Sequence, residues 1–213
     1  MADSIRDEVI IALVDLSGSM AGPAISKINV QLAELLSELQ SMQDLANNSI
    51  RLGILGFQET ASWVIRPEQV KQITNLPQFK PVYGADMLGA RSSYAGMLAE
   101  LNKCMTERFL CETRALNSVH VLLFTDGCPT DRKDVLDKAM EDLKKNPVFS
   151  NSHTKRYVIE ERTEGIRFRN KEDYMKAFAG DDLNVISADD FSALLGNITG
   201  ELEGIKKMKS VFD

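Results

Sequence analysis

The sequence predicts an α/β fold: a doubly wound, mostly parallel sheet with one antiparallel edge strand and helices on both faces. Three observations carry this. Val9 to Val14 and Val119 to Phe124 are apolar runs without polar alternation, the mark of strands covered on both faces. Each is followed by a polar turn, Ser17 to Gly22 after Asp15 and Thr125-Asp126-Gly127. Between and after them lie stretches with apolar residues at threes and fours, which is helical spacing.

The first helix opens at Pro23, a residue suited to a first helical position, and carries Ile25, Ile28, Leu32, Leu35, Leu36, Leu39 and Met42. Ile50 to Phe57 reads as the second strand, with Ala61 to Ile65 turning back on it as an antiparallel arm. Pro67, Pro77 and Pro81 read as an irregular connection. Helical spacing returns at Tyr94, Met97, Leu98 and Leu101, with Ser92 and Ser93 in capping position. After the Val119 strand, Asp131 is placed to cap a helix carrying Val135, Leu136, Ala139, Met140 and Leu143. Arg156 to Ile159 and Leu183 to Ile186 read as shorter strands around a helix near Lys171 to Ala179, and a last helix begins at about Asp189. No linker or repeat divides the chain, so residues 1–213 are expected to form one domain, with about residues 1–6 a flexible N-terminus.

The net charge of −6, with scattered Lys and Arg, offers no basic footprint for nucleic acid or an anionic membrane. The acidic N-terminal stretch is unlike a signal peptide and the apolar runs are too short to span a bilayer, so a cytoplasmic location is expected. Cys104, Cys111 and Cys128 lack C-x-x-C spacing and read as reduced thiols, and two distant histidines, His120 and His153, make no zinc site. Trp63 and Tyr83 read as packing residues, and the mixed charges from Glu160 to Arg169 as a solvated loop.

Asp15-Leu16-Ser17-Gly18-Ser19 places a carboxylate and two hydroxyls in a turn leaving a buried strand. Hard oxygens of this kind suit Mg²⁺, and a helix-entry turn in which Asp15 or Ser17 caps backbone N–H groups is the structural alternative. The stretch VDLSGSM, Val14 to Met20, resembles the D-x-S-x-S metal motif of von Willebrand factor A domains. LLFTDGCPTD, Leu122 to Asp131, resembles the strand and T-D-G turn that supply their second acidic residue. The likeness is greatest to small bacterial members associated with tellurite resistance and stress signalling. It implies a metal held by Ser17 and Ser19, with Asp15 and Asp126 acting largely through water and a third loop adding a hydroxyl. In that loop Arg91-Ser92-Ser93-Tyr94-Ala95-Gly96 stands where relatives carry G-G-T-x-x-G. Ser93 holds the T-x-x-G position and Ser92 is the alternative.

The resemblance implies a protein-binding module using Mg²⁺, with Mn²⁺ or Ca²⁺ as substitutes, whose partner donates an Asp or Glu to the metal. It also points to a kinase, phosphatase or other stress-response component as that partner. A metal-assisted hydrolase or phosphatase using the same carboxylates, and a scaffold that has lost its metal, are the other readings. Ser17 has no nearby histidine and no G-x-S-x-G elbow, and no nucleotide-binding glycine motif follows any strand. Thr130 and Asp131 read as capping residues outside the site.

Overall fold

The computed structural model describes residues 6–44, 49–80, 92–112, 114–127, 129–161 and 171–209. Residues 1–5, Pro81, Tyr83, Cys128 and the charged stretch 162–169, on which expectations were placed, lie outside the described residues. Six strands form one sheet in the order β3-β2-β1-β4-β5-β6: β1 Arg6–Asp15, β2 Ser49–Phe57, β3 Ala61–Gln69, β4 Ala115–Thr125, β5 Thr154–Glu160 and β6 Val185–Ser187. All neighbours are parallel except β2 and β3, so the antiparallel strand stands at one edge as expected. The helices are α1 Pro23–Asp44, α2 Tyr94–Cys104, α3 Glu107–Cys111, α4 Lys133–Lys144, α5 Lys171–Ala179 and α6 Phe191–Lys209.

The apolar run of β1 is explained by its central place. Ile10, Ala12 and Val14 pack with α1 and α6 on one face, while Val9, Ile11 and Leu13 pack with side chains of α2, α3, α4 and α5 on the other. A strand flanked on both sides and covered on both faces has no position left for a polar side chain until its ends. Trp63, half-buried, packs against the second of these layers, as expected of a packing residue.

Three local expectations are corrected. Pro67 lies inside β3 rather than in an irregular connection; β3 is an edge strand whose register against β2 shifts between Ile54/Ile65 and Leu52/Glu68, and an edge bulge is where a residue without N–H is tolerated. The last strand begins at Val185, because residues 182–184 form a 3₁₀ turn that leaves Leu183 exposed. Asp131 does not cap α4, whose N-cap is Arg132 without a side-chain bond; its carboxylate is drawn across to α2.

The order of strands places a switch point at β1 and β4. The chain leaves β1 towards α1 on one face and reaches β4 from α2 and α3 on the other. In open sheets of this kind the crevice outside the carboxyl ends of such strands is the usual ligand site. Asp15 ends β1 and Thr125 ends β4.

Candidate metal centre

Asp15 is fully buried at the end of β1. Its Oδ1 accepts the Ser17 amide at 2.9 Å, which tightens the turn, and Ser17 then N-caps the 3₁₀ turn Gly18–Met20 without spending its side chain on a cap. The Ser17 hydroxyl lies 3.0 Å from that of Ser19. Both serines of the first motif therefore face one point, with oxygen lone pairs that no backbone N–H of the turn uses. The structural alternative is half realised: Asp15 does close the turn, and the two hydroxyls remain.

The other oxygen, Oδ2, accepts the hydroxyls of Thr125 at 2.9 Å and Ser92 at 3.1 Å, with the Tyr94 phenol at 3.5 Å. Tyr94 and Thr125 are also in hydroxyl contact with each other. These three residues come from two loops that the sheet brings to β1. Thr125 is held because its Oγ1 accepts the Gly127 amide at 2.9 Å, across a turn whose third residue sits at φ 75, a value glycine adopts without strain. Asp126 is almost fully buried. Burial raises the Asp15 carboxyl to about 6; bonds from Ser17 oppose this, the Asp126 carboxylate adds to it, and the bond from Thr125 opposes it. Two enclosed carboxylates that repel one another are a site short of positive charge.

The third loop separates the two candidate serines. Ser92 is buried and turns its hydroxyl to Asp15. Ser93 N-caps α2: its Oγ accepts the Gly96 amide at 3.1 Å and donates to Asp131 Oδ1 at 2.9 Å. Asp131 Oδ2 accepts the Tyr94 and Ala95 amides at 2.6 and 3.2 Å, so the loop after β4 supplies a carboxylate to the N-terminus of α2. Thr130 ties the same two loops, its amide and hydroxyl both donating to the Ser92 carbonyl. A Cβ on Gly96 would lie 3.0 Å from Ser93 Oγ, so Gly96 serves the cap. Anchoring T-x-x-G on Gly96 assigns Ser93, whereas it is the Ser92 hydroxyl that the structure turns to Asp15. Thr125 and Tyr94 also join the site, and the Thr of T-D-G was the visible signal for the first.

The donor set is oxygen alone. Among the described residues no group of three or more His, Cys, Asp and Glu is gathered to hold a metal. Hydroxyls of Ser17, Ser19 and Ser92 around a pair of buried carboxylates suit a hard divalent ion that keeps some of its waters, and not zinc bound by nitrogen or sulfur.

No protein-family model and no curated protein matches the sequence. Solved structures do match in fold. The vWF domain of the type V pili tip protein Mfa5 from Porphyromonas gingivalis is 9% identical with a TM-score of 0.63, covering 95% of this chain and 96% of that one. The pilus adhesin SpaC from Lactobacillus rhamnosus GG is 14% identical with a TM-score of 0.62, covering 94% of this chain and 30% of that one. Proximal thread matrix protein 1 of the mussel byssus, in a form with a zinc-occupied MIDAS motif, is 13% identical with a TM-score of 0.62, covering 92% and 48%. The chain thus spans under half the length of SpaC and the byssus protein. Its fold is that of a von Willebrand factor A domain. Among the described residues no helix is long and apolar enough to cross a membrane.

Proposed function

We propose that this chain is a metal-ion-dependent protein-binding domain of the von Willebrand factor A type. The observation that carries the reading is the meeting of the Ser17, Ser19 and Ser92 hydroxyls with the buried Asp15 and Asp126 carboxylates at the β1/β4 switch point. Ser17, Ser19 and Ser92 hold the ion directly, while Asp15 and Asp126 supply negative charge and grip its waters. Ser93 acts one step back, as the cap that sets the course of the third loop. Mg²⁺ is the ion that this oxygen set suits best, with Mn²⁺ and Ca²⁺ as substitutes.

The bound ion supplies an electrophilic position for an outside oxygen. Its direct protein ligands are neutral hydroxyls, so a partner's Asp or Glu carboxylate is the natural occupant. The occupied MIDAS of the byssus protein and the pilus neighbours support a binding role rather than turnover. Cys104 and Cys111 are free thiols buried in the core, which suits a reducing compartment, and we place the protein in the cytoplasm. A kinase, phosphatase or other component of a stress response is the partner class that the sequence resemblance adds.

The experiment is calorimetric titration of the wild-type domain and Asp15→Ala with Mg²⁺ and Mn²⁺, followed by capture of partners with Mg²⁺ and with chelator. One ion per chain, lost in Asp15→Ala, and capture that fails in chelator are expected. A partner that binds Asp15→Ala equally well without Mg²⁺ would move the interaction surface elsewhere.

A further inference from the structure

Three hydroxyls converge on one carboxylate oxygen. Asp15 Oδ2 lies 2.9 Å from Thr125 Oγ1, 3.1 Å from Ser92 Oγ and 3.5 Å from the Tyr94 phenol. The phenol stands at the far limit of a hydrogen bond to that oxygen but in direct contact with Thr125 Oγ1. Two hydroxyl oxygens in contact share one proton between them. Thr125 has a single proton, and the carboxylate, which only accepts, takes it. The proton between Tyr94 and Thr125 is therefore the phenol's, and the chain of donors runs from Tyr94 to Thr125 to Asp15.

That direction decides what Thr125 has left to offer. Its proton is on Asp15, one lone pair of Oγ1 accepts the Gly127 amide at 2.9 Å, and the other accepts the phenol. Ser92 gives its proton to the same carboxylate oxygen, yet among the described residues none donates to its Oγ. The two hydroxyls on Oδ2 differ in this one respect: Ser92 retains acceptor capacity and Thr125 does not. The phenol is held at its post. Tyr94 is 4% exposed, its ring meets that of Phe57 in a T-shaped contact at 5.4 Å, and its amide is fixed to Asp131 Oδ2 at 2.6 Å.

On the reading of the metal centre given above, we propose that Tyr94 is a specificity-determining residue: by filling the last lone pair of Thr125 it holds this hydroxyl as a donor to Asp15 and withholds it from the ion. The direct protein ligands then stay at the hydroxyls of Ser17, Ser19 and Ser92. Such a small set suits Mg²⁺, which demands octahedral geometry and keeps several waters, whereas Ca²⁺ takes roughly six to eight oxygens in flexible arrangements. Without the phenol, Thr125 Oγ1 regains a lone pair on the same side of Asp15 as Ser92. A further oxygen there serves Ca²⁺ and not Mg²⁺, and the hydroxyl that steadies Asp15 is less firmly directed.

The test is calorimetric titration of the full chain with Mg²⁺ and with Ca²⁺, with urea unfolding to confirm that each variant is folded. Tyr94→Phe is expected to weaken Mg²⁺ binding about fivefold, the loss that goes with one hydrogen bond. Ca²⁺ binding is expected to stay within about twofold of wild type, so the preference for Mg²⁺ falls. Thr125→Ser keeps the chain of donors and is expected to keep the wild-type preference. Thr125→Val added to Tyr94→Phe removes the released lone pair and is expected to weaken Ca²⁺ binding as well. The proposal is overturned by a Tyr94→Phe variant that binds both ions as wild type does, or by one that weakens both by the same factor, the mark of a packing role alone. It is overturned equally if the added Thr125→Val leaves Ca²⁺ binding unchanged. A wild-type chain that binds neither ion overturns the metal centre itself, so that failure is distinguishable from a failure confined to Tyr94.

Discussion

At the scale of single residues, adjacent serines have opposite duties. In the proposed centre Ser92 Oγ donates its proton to Asp15 and offers its lone pairs to the ion, whereas Ser93 Oγ is occupied by the Gly96 amide and Asp131. Ser92→Ala is therefore expected to weaken Mg²⁺ binding at least tenfold with little change in stability. Ser93→Ala removes an N-cap and is expected to lower stability by about 1 kcal/mol, with Mg²⁺ affinity within about threefold of wild type. Titration calorimetry and urea unfolding on the two variants decide the matter, and the reverse order would return the ligand role to Ser93. Asp15 carries the opposite kind of cost. Its folded value of about 6 stands above the ordinary 3.8, so in the chelated protein at pH 7 the ionised carboxylate opposes folding by about 2–3 kcal/mol. Asp15→Asn keeps an oxygen for the Ser17 amide and sheds the charge. It is expected to raise Tm in chelator while abolishing Mg²⁺ binding; a lower Tm would show that the carboxylate is structural.

At the scale of elements, the strands that bear the site were the most legible, because β1 and β4 are buried on both faces and their apolar runs stop where the polar turns begin. Asp15, Ser17, Ser19 and Asp126 could be placed at strand ends for that reason. The third loop was harder to read. Its course is set by Asp131, a residue 36 to 38 positions away that the local pattern assigned to the helix beginning two residues later. A capping residue shows in sequence only beside its own helix, and a cap lent from another loop leaves no local signal. Asp131→Ala removes three bonds at the N-terminus of α2 and a favourable charge there. It is expected to cost about 1–2 kcal/mol and to weaken Mg²⁺ binding as well, because Thr130 next to it holds the Ser92 carbonyl. A variant with unchanged chemical unfolding would show that Ser93 caps α2 unaided.

At the scale of the whole molecule, alternation of strands and helices was enough to predict the sheet, since parallel neighbours need crossovers and crossovers need covered faces. Sequence spacing did not disclose what those covers enclose. His120, on β4, is 2% exposed and stacked parallel to Tyr157 at 6.4 Å. Burial pushes its pKa down to about 4, Glu201 opposing and Lys155 adding to the fall. The unfolded chain therefore binds this proton more readily, and its effect is a loss of stability as pH falls from about 6.5 to about 4. Asp15 has the opposite sign: the folded chain takes up its proton more readily, so stability is gained as pH falls through about 6. The shifts are of similar size, so in chelator the two contributions largely offset one another between pH 4 and 6. A bound ion requires Asp15 as the anion, which removes the gain and leaves the loss at His120. The rise in Tm produced by Mg²⁺ is thus expected to be full above pH 7 and to shrink as pH drops below about 6, as protons compete with the ion for the site. Calorimetric scans from pH 5 to 8, with Mg²⁺ and with chelator, measure this directly. A constant Mg²⁺ increment across that range would mean that Asp15 does not take up its proton where the buried, repelled carboxylate pair requires, and would remove the electrostatic basis for placing the ion there.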